Sequence, residues 1–137
     1  MFKFTQSSTE RVEKQKVWQL YADTNSWSQW DKGVKGVRLA GPFAAGTQGV
    51  MEMQAGPALP FCLNELVEGK SFSVKAELGS ITVSFGHVLQ EGAEGVTITH
   101  SVEVQGEDER QVNGLGQNIA AGVPACLQNL LTMAGDL

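Results

Sequence analysis

Cationic side chains are scarce. The 137 residues hold ten Lys and Arg against fifteen Asp and Glu, a formal net charge of −5. A polyanion-binding surface needs a basic stripe, and none is present, so no nucleic-acid partner is expected. The same shortage argues against a basic membrane-surface anchor. No stretch approaches the roughly 18 apolar residues of a membrane span. The opening Met1-Phe2-Lys3-Phe4-Thr5-Gln6 lacks the apolar run of a secretory signal. Cys62 and Cys126 make neither a disulfide framework nor a zinc-like spacing. A cytoplasmic location with both thiols reduced is the expectation. Nucleophile-elbow, P-loop, dinucleotide and zinc motifs are absent too, so neither cofactor nor metal is expected. Gly114-x-Gly116 lies inside a helical pattern and carries no phosphate signal.

What is present is enough apolar residue, 42%, for one packed domain over 1–137. Phe2, Phe4 and Gln6 alternate with Lys3, Thr5 and Ser7, which predicts a short strand. Ser8 or Thr9 is a plausible N-cap for a first helix reaching about Asp23, with Val17, Leu20 and Tyr21 at helical spacing. A second short helix carries Trp27 and Trp30. With Trp18, these tryptophans read as packing residues around the first helices. Six strands are then expected between Val34 and Gln105, divided by turn signals at Gly41-Pro42, Gly69-Lys70, Gly79-Ser80 and Gly92–Gly95. The segment Ala55–Pro60 is a loop of the composition common in gating segments. From about Asp108, Val112, Leu115, Ile119, Val123, Leu127 and Leu130 recur at three- and four-residue steps. They predict one long helix, kinked where Pro124 removes a hydrogen bond to the Ala120 carbonyl. Its glycines 114, 116 and 122 either let the helix approach the sheet or leave volume for a ligand. Strands followed by one helix indicate an α+β fold.

Short turns fix register, and register fixes faces. A two-residue loop at Gly69-Lys70 would pair Val67 with Phe72, Glu65 with Val74 and Leu63 with Ala76. A loop at Gly79-Ser80 pairs Ala76 with Val83, Val74 with Phe85 and Phe72 with His87. A tip at Ala93-Glu94 pairs Leu89 with Ile98 and His87 with His100. One face of these strands is then apolar, including Phe61, Leu63, Val67, Phe72, Val74, Val83, Phe85, Ile98 and Val102. The other carries Ser, Thr, Lys and Glu and is the wet face. Three polar residues fall on the apolar face: Glu65, His87 and His100. A buried carboxylate or imidazole needs a partner or shifts to its neutral form. Glu65 reaches solvent instead if a bulge shifts its register.

Several segments resemble the SRPBCC (START-like) superfamily and its polyketide cyclase/dehydrase group. Lys16–Val34 (KVWQLYADTNSWSQWDKGV) is similar to the family's Val-Trp helix followed by Trp-x-x-Trp. Gly41–Met53, Glu65–Val74 (ELVEGKSFSV) and Gly95–Gly106 are similar to its hairpins and penultimate strand, and Ala120–Leu131 to its last helix. The resemblance implies a helix-grip fold: a curved antiparallel sheet of about seven strands around a long C-terminal helix, with two short helices after the first strand. It also implies a cavity between sheet and helix. Trp30, Met51, Met53, Phe61, Leu63, Phe72, Phe85, His87 and His100 are the candidate lining from one side, with Leu115, Ile119 and Val123 from the helix. Met51 and Met53 fit a gap-filling core or an adaptable wall.

Three functions follow as expectations. The first is a binding protein for a small hydrophobic or aromatic molecule, since such pockets are apolar with a few orienting polar groups. The second is a cyclase or dehydratase on a polyketide-like substrate, with His87 or His100 as base and Glu65 as acid. The third is a protein-interaction module, which requires a filled cavity and an exposed apolar patch.

Overall fold

The alternation that begins at Phe2 runs to the end of a nine-residue strand, β1 (Phe2–Glu10), in a computed structural model that describes residues 1–136. Its pairing with β7 (Gly95–Gln105) is unbroken from Phe2–Val104 to Glu10–Val96. On the outer face Ser7 meets Thr99 at 2.8 Å and Thr9 meets Thr97 at 2.7 Å, hydroxyl to hydroxyl. The same ladder takes Ser8 and Thr9, the residues expected to cap the first helix, into the strand opposite Ile98 and Thr97. Helix α1 therefore starts later, at Lys14–Ala22, and Glu13 before it makes no side-chain cap. A 3-10 turn (Thr24–Ser26) and α2 (Trp27–Trp30) follow.

The remaining strands are β2 (Val34–Leu39), β3 (Gln48–Met53), β4 (Leu59–Val67), β5 (Ser71–Leu78) and β6 (Ile81–Gly92). With β7 and β1 they form one seven-stranded antiparallel sheet in the order β1-β7-β6-β5-β4-β3-β2. The β5–β6 and β6–β7 registers are those expected from their turns. Leu78 faces Ile81, Phe72 faces His87, and His87 faces His100. Gly79 supplies the positive φ, +63°, that its tight turn demands.

The β4–β5 hairpin departs from expectation. Lys70 N–H donates to the Val67 carbonyl at 2.9 Å, closing a turn with Gly69 at φ +74°. A positive φ at the third turn position is the type II arrangement that glycine permits. The loop is thus three residues long, and Leu66 rather than Val67 faces Phe72. Val67 is 52% exposed. A bulge between Leu63 and Leu66 then restores the inner face, so that Leu63 meets Val74. Glu65 lies in the bulge and is exposed, its N–H donating to Ser73 Oγ at 3.1 Å. Its assignment to the apolar face is corrected accordingly.

The C-terminal segment is a bent helix made of α3 (Glu109–Ala120) and α4 (Val123–Asp136). The Asp108 carboxylate caps α3, accepting from the N–H groups of Arg110 and Gln111. The bend falls at Ala121-Gly122, ahead of Pro124. The ring that would clash with the Ala120 carbonyl inside a continuous helix instead occupies the first turn of α4, where no N–H is needed. Gly116 leaves no room for a ligand: a Cβ there would run into the Phe2 ring, so it lets α3 settle on β1. Gly114 and Gly122 are exposed.

The buried apolar residues form two clusters. The larger gathers Tyr21, Trp27, Trp30, Met51, Phe61, Leu63 and Phe72 with Leu127, Leu130 and Leu131 of α4. The smaller holds Ile81, Val83, Val102, Val104, Val112 and Val123 beneath α3, with Phe2, Phe4, Leu115 and Ile119 packed against it. Phe85 touches both.

Candidate functional site

The β6–β7 register places His87 and His100 side by side on the inner face, 9% and 5% exposed, with ring centroids 4.8 Å apart and nearly perpendicular. Tyr21 descends onto them from α1 and is wholly buried. Its hydroxyl lies 2.7 Å from His100 Nε2. His87 Nδ1 lies 3.2 Å from the Phe72 carbonyl across the hairpin. The Phe72 and His87 rings stack at 4.0 Å, 2° from parallel.

The corner between α1 and α2 holds Tyr21 in place. Trp27 Nε1 donates to the Tyr21 carbonyl at 2.9 Å, Ser26 Oγ to the Leu20 carbonyl at 2.6 Å, and Trp30 Nε1 to Ser26 Oγ at 3.2 Å. Each bond satisfies a buried polar group with a partner on the same corner, which makes the corner rigid. Asn129 of α4 ties in by donating to the Trp30 carbonyl at 3.4 Å. Aromatic rings enclose the three polar side chains. Trp27 lies 5.8 Å from Phe72, Trp30 6.1 Å from His100, and Tyr21 4.9 Å from Phe72. Half-buried Trp18 and Phe43 cover the outer side of Phe72, at 6.2 and 5.2 Å.

Burial sets the protonation of this group. It pushes His100 down to about 4. It pushes His87 well below the usual imidazole range, with His100 adding to the shift and the Phe72 carbonyl opposing it. Burial likewise raises the Tyr21 hydroxyl well above its ordinary value. All three side chains are therefore neutral near pH 7 and act as hydrogen-bonding groups rather than charges.

The candidate residues separate in space. Trp30, Met51, Phe61, Leu63 and Phe72 are buried together in the larger cluster, with Met53 at its margin. Leu115, Ile119 and Val123 belong to the smaller cluster under α3, and Phe85 bridges the two. Glu65 is remote from both, on the solvent side of its bulge. Tyr21 is the residue that sequence reasoning missed. Its signal was available: an inward tyrosine on a helix, in a chain with a single tyrosine, needs a buried partner for its hydroxyl.

Two other features lie apart from the histidines. Asp31, just after α2, faces Cys126 of α4. Burial raises the Asp31 carboxyl, against the Gly33 N–H and the Cys126 thiol, which hold it down. Burial and the Asp31 charge push the thiol up to about 12, so Cys126 is no nucleophile near neutrality. An open groove of about 670 Å³ crosses the outer face of β2–β5, with Arg38, Gln48, Cys62, Lys75 and Glu77 in its lining. It is on the opposite side of the sheet from His87 and His100. Among the described residues, no group of three or more His, Cys, Asp or Glu side chains is placed to hold a metal, and no helix is long and apolar enough to cross a membrane.

Known structures share this architecture. The MLL2253 protein of Mesorhizobium loti superposes with a TM-score of 0.78 at 12% identity, over 96% of each chain. The protein Ara h 8.0201 gives 0.69 at 15% identity, over 96% of this chain and 98% of its own. StfQ, a di-domain ARO/CYC from the steffimycin biosynthetic pathway, gives 0.81 at 9% identity. That match covers 98% of this chain and 50% of StfQ. At such identities the likeness establishes the helix-grip fold alone. No match is found among curated proteins. The sequence itself matches the family model described as "Polyketide cyclase / dehydrase and lipid transport" over residues 1–132, and the chain belongs to that family.

Proposed function

We propose that this protein binds a small apolar molecule between the sheet and the C-terminal helices, with Tyr21, His100 and His87 orienting its polar end. The observation that carries the reading is a connected neutral polar group set within aromatic walls. Binding pockets are built this way, largely apolar with a few convergent polar atoms. The wall is closed by side chains that can move. Trp18 and Phe43 are half-buried, and Phe43 stands in the β2–β3 connection rather than in secondary structure. Entry beneath Phe43 is therefore favoured over entry at the wholly exposed 54–58 loop. A cytoplasmic location accords with this role.

The family's description also includes cyclases and dehydrases. A histidine held at about 4 is a poor general base near neutral pH, because proton transfer is most efficient when the base titrates near the working pH. This favours binding over proton abstraction. The interaction reading calls for a broad apolar patch. The exposed large apolar side chains among the described residues are Met1, Val67, Leu78 and Val88, a thin basis for one.

Native mass spectrometry of the protein as purified, set against its denatured mass, tests the proposal. A copurifying mass lost on denaturation, or a thermal shift with members of an apolar and aromatic panel, is the expected result. The absence of both an adduct and a shift would refute the binding role.

A further inference from the structure

The hydrogen bonds around the two histidines specify more than a polar end. The Phe72 carbonyl can only accept, so His87 Nδ1 carries the proton and Nε2 presents a bare lone pair. A phenol is a strong donor and an imidazole nitrogen a strong acceptor, so Tyr21 donates to His100 Nε2, leaving the proton of His100 on Nδ1. Among the described residues, neither His87 Nε2 nor His100 Nδ1 has a protein partner. Every side-chain nitrogen or oxygen wholly shut off from solvent does have one. These two ring atoms are therefore not wholly sealed from solvent, and each is left with a hydrogen bond to make to an incoming molecule. Adjacent rings thus offer one acceptor and one donor.

Resting on the binding role above, we infer that the site is selective for neutral ligands whose polar group both donates and accepts a hydrogen bond, an alcohol, phenol or amide, and that it discriminates against carboxylates. A hydroxyl gives its proton to His87 Nε2 and takes one from His100 Nδ1. An ether or ketone satisfies only His100. A carboxylate accepts alone, so it would place its charge against the His87 lone pair. Among the described residues the buried polar ones are Ser26, His87 and His100, with no lysine or arginine to balance that charge. Forcing a proton onto His87 would place a cation beside a second imidazole in the same buried space.

Four probes on one skeleton separate the terms: 2-naphthol, 2-methoxynaphthalene, naphthalene and 2-naphthoate, titrated into the full chain at pH 7.5 with protein-detected NMR. We expect 2-naphthol to bind at least about tenfold more tightly than the methyl ether and naphthalene, and 2-naphthoate to bind most weakly. Equal affinity for naphthol and naphthalene, or a preference for naphthoate, overturns the inference and leaves the binding role standing. Failure of all four to bind counts against both. Long-range 15N–1H spectra of the imidazoles supply a check that needs no ligand or variant. The expected pattern is protonated Nδ1 and unprotonated Nε2 on both rings. A proton on His100 Nε2 would leave two acceptors and overturn the inference by itself.

Discussion

The two halves of the apolar interior are built from different materials. Under α3, the smaller cluster is almost wholly branched aliphatic: Ile81, Val83, Val102, Val104, Val112 and Val123. Such side chains have few rotamers and no polar atoms, so they pack in one way. Beneath α1 and α2, the larger cluster sets the buried rings of Tyr21, Trp27, Trp30, Phe61 and Phe72 among aliphatic side chains, with the two histidines beside them. Its rings meet mostly edge-on or tilted, at separations of about 5 to 6 Å. Planar rings can slide and turn to admit another ring, and their polar atoms offer directional contacts. The aliphatic side chains hold α3 on the sheet, and under the proposed binding role recognition falls to the half that carries the rings.

Substitutions can break this division. Phe72 contacts the rings of Trp18, Tyr21, Trp27, Phe43 and His87. Phe72→Ala should destabilise the fold by about 3–5 kcal/mol in denaturant titration, the largest effect. It should also abolish ligand-induced thermal shifts. A Gly116→Val side chain would enter the Phe2 ring, at a cost of about 2–3 kcal/mol. Because that strain falls in the aliphatic half, the imidazole 15N signals of His87 and His100 should hardly move. A large shift in them would mean that the halves act as one unit.

Acid titrates the aromatic half selectively. A histidine whose folded value lies below its unfolded value binds fewer protons folded than unfolded, so stability falls as pH drops through that interval. For His100 the interval runs from the ordinary imidazole value near 6.5 down to about 4. Cooling-corrected denaturant midpoints should report a loss of roughly 2 kcal/mol between pH 7.5 and 5, before most carboxylates titrate. A flat profile in that window would contradict neutral burial of the pair. Tyr21→Phe leaves His100 Nε2 without its donor and should cost about 1–2 kcal/mol. The same substitution should change the His100 tautomer while sparing Gly116-dependent packing. Glu65→Gln should change stability by less than about 0.5 kcal/mol and leave ligand affinity unaltered, since Glu65 is exposed in its bulge.

Much of the sheet was legible in the residues. The Gly79-Ser80 and Ala93-Glu94 turns are short, and alternation beside them is strict, so parity alone brought His87 opposite His100. At Gly69-Lys70 the same reasoning failed by one residue, because a glycine in a type II turn lengthened the loop. Nothing in LNEL (Leu63–Leu66) fixes a bulge at Asn64-Glu65. It is the sheet's need to keep both Leu63 and Leu66 inside that places it there. The end of β1 was misread for a related reason. Ser8 and Thr9 have the chemistry of a helix cap, and pairing with β7 overrode that local preference.

Periodicity and turn chemistry by themselves determined the α+β class, the inner face of β5–β7 and the adjacency of the two histidines, and the resemblance of several segments to a known family implied the helix grip. These depend on neighbours along the chain, where a few backbone angles decide the outcome. Tertiary structure alone decided that Tyr21, 79 residues from His100, supplies its hydrogen bond, that Phe2 fills the notch at Gly116, and that Glu65 is outside. Such contacts are set by how helices close over a finished sheet, and that closure follows the burial of the whole core rather than any local pattern.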